Sequence, residues 1–238
     1  PDGARVYDGR KRIVEKRMYQ SVDVPRPRLW YPNGYGEQDL YRIRLEIRKE
    51  DGDCPSGGES MKMLSARELA FGIRTIKVLQ LQDMPGSAFY EKCIALQEAV
   101  SFSQEIMDYE KNTEFFGFVV LVNQVPILCK GANWVPCEPF RFQGNAGKIK
   151  HILSLAQKAG LNMLRIWGGG VFEEEILYEE CDRLGILVTQ DFLMACGSYP
   201  CEEAWFREQL EREALFGVKK LRNHACLAWW SGDNENAA

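Results

Sequence analysis

Two hydrophobic patterns divide the chain. In DLYRIRLEIRKE, the apolar residues Tyr41, Ile43 and Leu45 alternate with charged residues. A period of two is typical of an antiparallel strand with one buried face and one solvated face. The turn-rich stretches PNGYGEQ and DGDCPSGGES flank this strand, and FGIRTIKVLQL predicts a later one. We therefore predict an immunoglobulin-like β-sandwich over residues 1–82.

Residues 83–114 fit neither pattern. EKCIALQEAVSFSQEIMDYEKNTE has some helical character but no clear capping residues, and it follows Pro85 and Gly86. Because a proline–glycine pair is a strong turn signal, the segment is interpreted as a linker or an insertion.

The spacing of apolar residues becomes helical further along the chain. In NAGKIKHILSLAQKAG, the residues Ile149, Leu153 and Ala156 fall on one helical stripe, between Asn145 as a candidate cap and Gly160 as a stop. EEEILYEECDRLG predicts a second helix and the stretch from about 202 to 223 a third. Four short apolar strands precede and follow these helices along the chain, namely ILCKGANW, LNMLRIW, ILVTQDF and CLAWW.

Alternating strands and helices are typical of parallel β/α units. A complete eight-unit barrel takes about 250 residues, whereas the range 115–238 holds four strands and three helices. We therefore predict the first half of a (β/α)8 TIM barrel over residues 115–238, truncated after four units. A small open, doubly wound sheet is the alternative, although the sequence has no nucleotide-binding fingerprint to favour it.

Composition narrows the class of partner. A net charge of -4 and a pI near 5.5 argue against nucleic acid or an anionic membrane. The longest apolar run, residues 115–122, is far shorter than the roughly 20 residues of a membrane span. With 2 histidines and 8 scattered cysteines without a CxxC pair, we expect no zinc site. The disulfide pattern stays open.

Polar or aromatic side chains follow each predicted barrel strand. They are Asn133 and Trp134, Arg165 and Trp167, Gln190 and Asp191, and Asn234 and Glu235. Barrel active sites lie at the C-terminal ends of the strands, so we predict that these residues meet on one rim.

Each of these features has a simpler structural explanation. Arg165 would form a structural ion pair with Asp191 or Glu235, the tryptophans would fill the core, and Asp233 would help to form a turn. The glycines at 168–170 are better explained by a tight turn that makes room for a ligand or a loop than by a phosphate cradle, because no phosphate-binding motif accompanies them.

The candidate chemistry uses carboxylates. The sequence has no GxSxG nucleophile motif and no histidine arrangement typical of acyl transfer. Glycosidic cleavage instead requires one carboxylic acid that protonates the leaving oxygen and a second carboxylate on the other side of the sugar. Glu235 alone meets half of this requirement.

Six motifs resemble a known family. They are WYPNGYGEQDLY (30–41), FGIRTI (71–76), ILCKGANWVP (127–136), NMLRIWGGGVFEE (162–174), CDRLGILVTQDFLMACGSYP (181–200) and WWSGDNEN (229–236). Together, in this order, they resemble the β-mannosidases of glycoside hydrolase family 2. The resemblance implies a retaining exo-glycosidase that removes terminal non-reducing β-D-mannose from oligosaccharides or glycoprotein-derived glycans, without a cofactor.

The same resemblance implies roles for single residues. Glu235 would be the general acid/base, and Asn234 would hydrogen-bond the 2-hydroxyl of the sugar. Arg165 would steady the charge of the nucleophile. Trp134 and Trp167 would line the mannose pocket. A sixth residue, Asp191, is a weaker candidate for a contact to the sugar or to the residues that hold it.

This chain departs from the family pattern in several places. The family nucleophile is a glutamate on a later strand, and a sugar-binding sandwich normally precedes the immunoglobulin-like domain. Neither is in this sequence, so we expect an internal fragment that is inactive alone. Thr189 stands where the family usually has tryptophan, and Asp233 where it has asparagine. Residues 91–114 interrupt a normally short passage, as a genuine insertion or a mis-joined exon.

Two other functions stay open. The chain would be a non-catalytic carbohydrate-binding or interaction protein if the nucleophile has been lost. It would be an exo-glycosidase for another sugar, such as glucosamine, if the pocket differs. By resemblance we expect a lysosomal location in an animal, although the chain has no targeting signal. The sequence does not indicate an oligomeric state.

Overall fold

The computed structural model describes residues 3–50, 61–82, 85–87, 90–91, 116–138 and 145–236. These residues belong to two compact units. One unit combines residues 1–74 with 130–238, and the other is formed by residues 75–129. Most of the predicted linker or insertion at 83–114 lies outside the described residues, so that interpretation stays a prediction.

The first strands of the larger unit form an antiparallel hairpin. β1 (Tyr41–Glu50) pairs with β2 (Met61–Phe71), with a register shift between Ile47 and Arg48. The predicted alternation is present, but its apolar face is open: Ile43, Leu45 and Ile47 are 41%, 55% and 46% exposed. The expected buried face is therefore wrong for this hairpin, because no described element covers the side chains. The immunoglobulin-like sandwich stays a prediction.

The smaller unit holds a three-stranded antiparallel sheet. β3 (Ile76–Gln82) pairs with β4 (Phe116–Val122), which pairs with β5 (Val125–Ile127). Asn123 and Gln124 form a two-residue turn between β4 and β5, both with positive φ (50° and 68°). Two left-handed residues suit the twist of a tight hairpin. β3 lies in the range predicted as the sandwich and β4 in the range predicted as the half barrel. The domain limits themselves stay a prediction.

A four-stranded parallel sheet is the main part of the larger unit. Its strands β6 (Gly131–Trp134), β7 (Met163–Ile166), β8 (Leu187–Asp191) and β9 (Leu227–Ser231) are hydrogen-bonded in chain order. Helices α1 (Ala146–Lys158), α2 (Glu175–Leu184) and α3 (Ala204–Leu221) connect them. The predicted strand–helix alternation is confirmed. The first parallel strand begins at Gly131 rather than Ile127, because Val125–Ile127 completes the hairpin with β4.

Helices α1 and α2 bury most of their predicted apolar stripes, although Ala156 on α1 is only half-buried. Ile149 and Leu153 on α1 and Leu177 and Cys181 on α2 are at most 1% exposed. Gly160 and Gly185 follow the two helices with φ values of +79° and +73°, a left-handed conformation that glycine adopts readily. Asn145 precedes α1, but its side chain makes no capping hydrogen bond.

A segment before the hairpin packs against the start of the parallel strands. The indole of Trp30 is completely buried, and its Nε1 donates to the carbonyl oxygen of Asp182 at 2.7 Å. The Nδ2 of Asn33 donates to the carbonyl oxygens of Gln157 and Leu161, at 3.0 and 2.9 Å. These contacts join the segment to the C-terminal ends of α1 and α2. They therefore lie near the N-terminal ends of the parallel strands, opposite the candidate site. Among the described residues, no helix has the length and apolarity of a membrane span.

Candidate active site

Arg165 and Asp191 occupy the C-terminal ends of the neighbouring strands β7 and β8. The Nε and Nη2 of Arg165 donate to the two carboxylate oxygens of Asp191, at 3.2 and 2.6 Å. Asp191 is fully buried and also accepts the backbone N–H of Gly168 at 3.1 Å. A two-pronged contact fixes the guanidinium plane as well as its position. The ion pair considered as a structural alternative therefore exists, with Asp191 rather than Glu235 as the partner.

The same guanidinium reaches the two outer strands. Its Nη2 donates to Oδ1 of Asn234 at 2.7 Å, and its Nη1 to Oδ1 of Asn133 at 3.4 Å. The predicted convergence of polar side chains on one rim is therefore observed for Asn133, Arg165, Asp191 and Asn234. Parallel pairing explains it, because Asn133 lies directly beside Arg165 in the sheet register.

Glu235 follows Asn234 just after β9. Its backbone is left-handed, with φ of +53°, and its side chain is exposed. Its Oε2 lies 3.5 Å from the Sγ of Cys196. A non-glycine residue with positive φ is strained and is more common at functional sites than elsewhere. The buried amide of Asn234 and the exposed carboxyl of Glu235 thus stand side by side at the rim.

The two predicted pocket tryptophans differ in exposure. Trp134 is only 5% exposed, and its Nε1 donates to Oε1 of the buried Glu173 at 3.1 Å. Trp167 is half-buried and is tied to β6 through its backbone N–H, which donates to the Trp134 carbonyl at 3.1 Å. The burial of Trp134 matches the core-filling alternative, while Trp167 retains an accessible surface. Sequence reasoning missed Glu173, although it belongs to the motif NMLRIWGGGVFEE.

The glycines after β7 allow close packing at the rim. A Cβ at Gly168 would lie 2.7 Å from the Met194 carbonyl oxygen and 2.8 Å from that of Phe192. A Cβ at Gly169 would lie 2.0 Å from the ring of Trp167. The run therefore brings its backbone against the loop that follows β8. This observation supports the tight-turn interpretation of the glycine run.

A chain of buried hydrogen bonds lies beneath the C-terminal ends of the strands and links Tyr178, Gln190 and the backbone of Glu173. The hydroxyl of Tyr178 donates to Oε1 of Gln190 at 2.7 Å and accepts the backbone N–H of Glu173 at 3.3 Å. Burial raises the pKa of Tyr178 well above its usual value, so its hydroxyl stays protonated. Gln190 also donates to the Asp191 carbonyl oxygen at 2.8 Å. Gln190 therefore has a supporting position rather than an exposed one.

A second, partly buried cluster lies at the opposite end of the strands. The Nδ1 of His224 lies 2.7 Å from Oδ2 of Asp182, and its Nε2 lies 3.1 Å from Oε1 of Glu175. Although burial lowers the pKa of His224, hydrogen bonds and the charges of Asp182 and Glu175 raise it overall. Asp182, His224 and Cys226 are close enough to surround a cation. Asp182 already bonds His224 and the N–H of Cys226, so in this arrangement its carboxylate links α2 to the start of β9.

Comparison with known proteins finds relatives among both the curated sequences and the solved structures. Beta-mannosidase B of Emericella nidulans is 32% identical over 218 residues, which are 91% of this chain and 21% of that protein. The crystal structure of beta-D-mannosidase from Dictyoglomus thermophilum is 34% identical with a TM-score of 0.64, covering 87% of this chain and 21% of the other. The chain spans about a fifth of the length of these relatives. No family model matches the sequence.

A more distant structure, beta-glucuronidase of Parabacteroides merdae, shares the fold with a TM-score of 0.60 at 16% identity. The described fold is therefore one that β-glycosidases adopt. The identities above 30% narrow this class: the chain is a homologue of the β-mannosidases. The resemblance indicated by its motifs is confirmed.

Proposed function

We propose that these residues form the general acid/base side of a retaining β-mannosidase site, within the first half of a TIM barrel. The observation that carries the proposal is the adjacent pair at the end of β9. Asn234 is held at 2.7 Å by Arg165, and Glu235 follows it with an exposed carboxyl group. A fixed amide beside an exposed carboxyl group suits a sugar hydroxyl beside a glycosidic oxygen.

Asn234 has a defined orientation in this proposal. Its Oδ1 accepts from Arg165, so its Nδ2 faces the other way and donates to Cys196 Sγ at 3.3 Å. An amide nitrogen carries two hydrogens, and the second would donate to the 2-hydroxyl of a mannose residue. Such hydrogen bonds strengthen as the transition state forms.

Glu235 supplies the proton in the first step and removes one from water in the second. Its protonated carboxyl would donate to the glycosidic oxygen as the bond to the sugar breaks. The resulting carboxylate would then accept a proton from the water that attacks the sugar. Trp167, with its accessible surface, would provide an apolar face for the sugar ring. The buried Trp134 would support that wall from behind.

The nucleophile is proposed to come from residues other than those described. A retaining mechanism requires a second carboxylate about 5–5.5 Å from the acid/base. Asp191 is buried and bound to Arg165, and Glu173 is buried and bound to Trp134. Neither is available for attack on a sugar. We therefore propose that the described residues alone do not turn over glycosides without a further strand that bears the nucleophile, and that in an animal the site works in the lysosome.

The proposal is tested by assaying the whole protein that carries this sequence. We expect hydrolysis of p-nitrophenyl β-mannoside, with β-mannose as the first product detected by NMR, and much slower hydrolysis of the α-mannoside and the β-glucosaminide. A preference for the glucosaminide would replace mannose with another sugar. Sugar binding in calorimetry without hydrolysis of any glycoside would favour the non-catalytic carbohydrate-binding function instead.

A further inference from the structure

Cys196 lies between the two residues proposed to act on the sugar. It belongs to the loop after β8, where its backbone is left-handed with φ of +52° and its side chain is exposed. Two backbone hydrogen bonds tie this loop to the end of β9. The N–H of Cys196 donates to the Asn234 carbonyl at 2.8 Å, and the N–H of Asn234 donates to the Met194 carbonyl at 3.0 Å.

The thiol itself contacts both side chains. Its Sγ accepts from Nδ2 of Asn234 at 3.3 Å and lies 3.5 Å from Oε2 of Glu235. The direction of each hydrogen bond follows from Arg165. Because Arg165 donates to Oδ1 of Asn234 at 2.7 Å, the amide must present its N–H to the sulfur. The hydrogen of the thiol is then left for the carboxyl of Glu235.

These contacts complete one chain of hydrogen bonds. It begins at the fully buried Asp191, passes through Arg165 and Asn234, and reaches the exposed Glu235 through Cys196. Each member fixes the orientation of the next. An exposed glutamate without such a partner would populate several rotamers, and selecting one of them costs conformational entropy.

We propose that Cys196 is a positioning residue, whose thiol holds one oxygen of Glu235 so that the other faces the glycosidic oxygen. This inference rests on the proposed function of Glu235. A displacement of about 1 Å at a reacting group is enough to slow a reaction by roughly a hundredfold. A weak thiol hydrogen bond at the rim can therefore affect proton transfer more than it affects folding.

The contact is first tested without any assay of activity. Iodoacetamide alkylation of Cys196 is followed by mass spectrometry in the wild-type chain and in Glu235→Gln. Glu235→Gln removes the negative charge that lies 3.5 Å from the sulfur, so we expect alkylation to become about threefold faster or more in the variant. The exposed Cys201 serves as the internal control and should react at an unchanged rate. Equal rates at Cys196 in both proteins would overturn the contact.

The positioning role is then tested by kinetics on the whole protein. Cys196→Ala should lower kcat/KM about tenfold on aryl β-mannosides with poor leaving groups, and by less than about twofold with dinitrophenyl β-mannoside, which needs no protonation. Cys196→Ser keeps a donor and should restore most of the loss. All three side chains carry a Cβ, so the backbone strain at φ of +52° is matched. Cys201→Ala is the control and should behave as wild type.

The outcomes separate this inference from the proposed function. If the wild-type protein hydrolyses no glycoside, the proposed function fails, and unchanged alkylation at Cys196 would then remove this inference as well. If the wild type is active and Cys196→Ala loses no activity, or loses the same factor on good and poor leaving groups, the positioning role alone is overturned.

Discussion

The carboxylate of Asp191 and the guanidinium of Arg165 form a two-pronged ion pair in which the acid is fully buried and the base is partly exposed. Asp191→Asn would keep the shape but remove the charge that compensates Arg165. We expect a loss of about 2 kcal/mol in the free energy of unfolding, measured by urea denaturation of this chain. The surface pair of Arg5 and Asp8 provides the control, and Asp8→Asn should leave the urea midpoint unchanged. An unchanged midpoint in Asp191→Asn would contradict the structural importance of the ion pair.

Substitution of Glu235 should affect catalytic activity and leave the stability of the fold unchanged. Because the residue is exposed, Glu235→Gln should fold with a wild-type urea midpoint. In the whole protein it should lose about a hundredfold or more in kcat on a β-mannoside with a poor leaving group. Added azide should restore turnover on an activated aryl mannoside, because the anion attacks the glycosyl-enzyme without general-base assistance. Full activity on poor leaving groups would remove Glu235 from the mechanism.

His224 makes the stability of the larger unit dependent on pH. Its pKa is raised in the folded state by Asp182 and Glu175, against the opposing effect of burial. A raised pKa means that the folded state binds the proton more tightly than the unfolded state. The stabilisation is therefore complete below about pH 6.5, the unfolded value, and is lost as the pH rises through the higher folded value.

Urea midpoints measured between about pH 5.5 and 8.5 should show this decrease. His224→Gln should flatten it, since the glutamine side chain does not titrate. The exposed His151 is the matched control, and His151→Gln should retain the wild-type slope. The interpretation would be wrong if both variants kept that slope.

Replacement by alanine should have opposite effects on stability at Gly168 and at Gly147. Gly168→Ala would place a methyl group 2.7 and 2.8 Å from two carbonyl oxygens of the loop after β8. We expect it to destabilise the chain by about 1–3 kcal/mol, because the backbone must move. Gly147→Ala lies in α1 with no atom within 4 Å of the new methyl, so it should stabilise by about 0.5–1 kcal/mol. Thermal unfolding of the two variants compares them directly, and similar effects would contradict the close packing at Gly168.

The buried hydrogen bond of Trp30 to the Asp182 carbonyl allows the contribution of the N-terminal segment to stability to be measured. Trp30→Phe keeps an aromatic ring but removes the N–H that donates to the Asp182 carbonyl. Leaving that buried oxygen without its donor should cost about 1–3 kcal/mol in the free energy of unfolding. Trp205→Phe, at a tryptophan that is 59% exposed, should change the unfolding free energy little. Equal effects of the two substitutions in urea denaturation would argue against the buried contact.

Local patterns were sufficient for the parallel sheet and for part of the site. Helical spacing and the glycines at 160 and 185 predict α1 and α2, and the order of strands and helices predicts parallel pairing. Once pairing is parallel, the ends of neighbouring strands must share an edge. The meeting of Arg165, Asp191 and Asn234 follows from that topology.

Contacts between distant parts of the chain were not predictable in the same way. The pairing of β3 with β4 joins residues on both sides of 83–115, and no local period encodes such a partner. The contacts of Cys196 with Glu235 and of Glu173 with Trp134 depend on loop conformations after strands. These loops carry no repeating pattern. Their residues lie within the motifs that carry the family resemblance, but a motif does not state which side chains touch.

Residues 30–33 and Arg74 contact the helices and strands of the parallel sheet. These contacts matter for any attempt to produce the sheet as a separate fragment. Cutting the gene at the start of β6 would yield all four strands and three helices yet expose the cavity that the Trp30 indole fills. It would also remove the guanidinium of Arg74, which donates hydrogen bonds to the carbonyl oxygens of Ala225 and Leu227. A version of this region that keeps these contacts is therefore discontinuous in sequence, and a short linker from about residue 74 to residue 130 would preserve them better than a simple truncation.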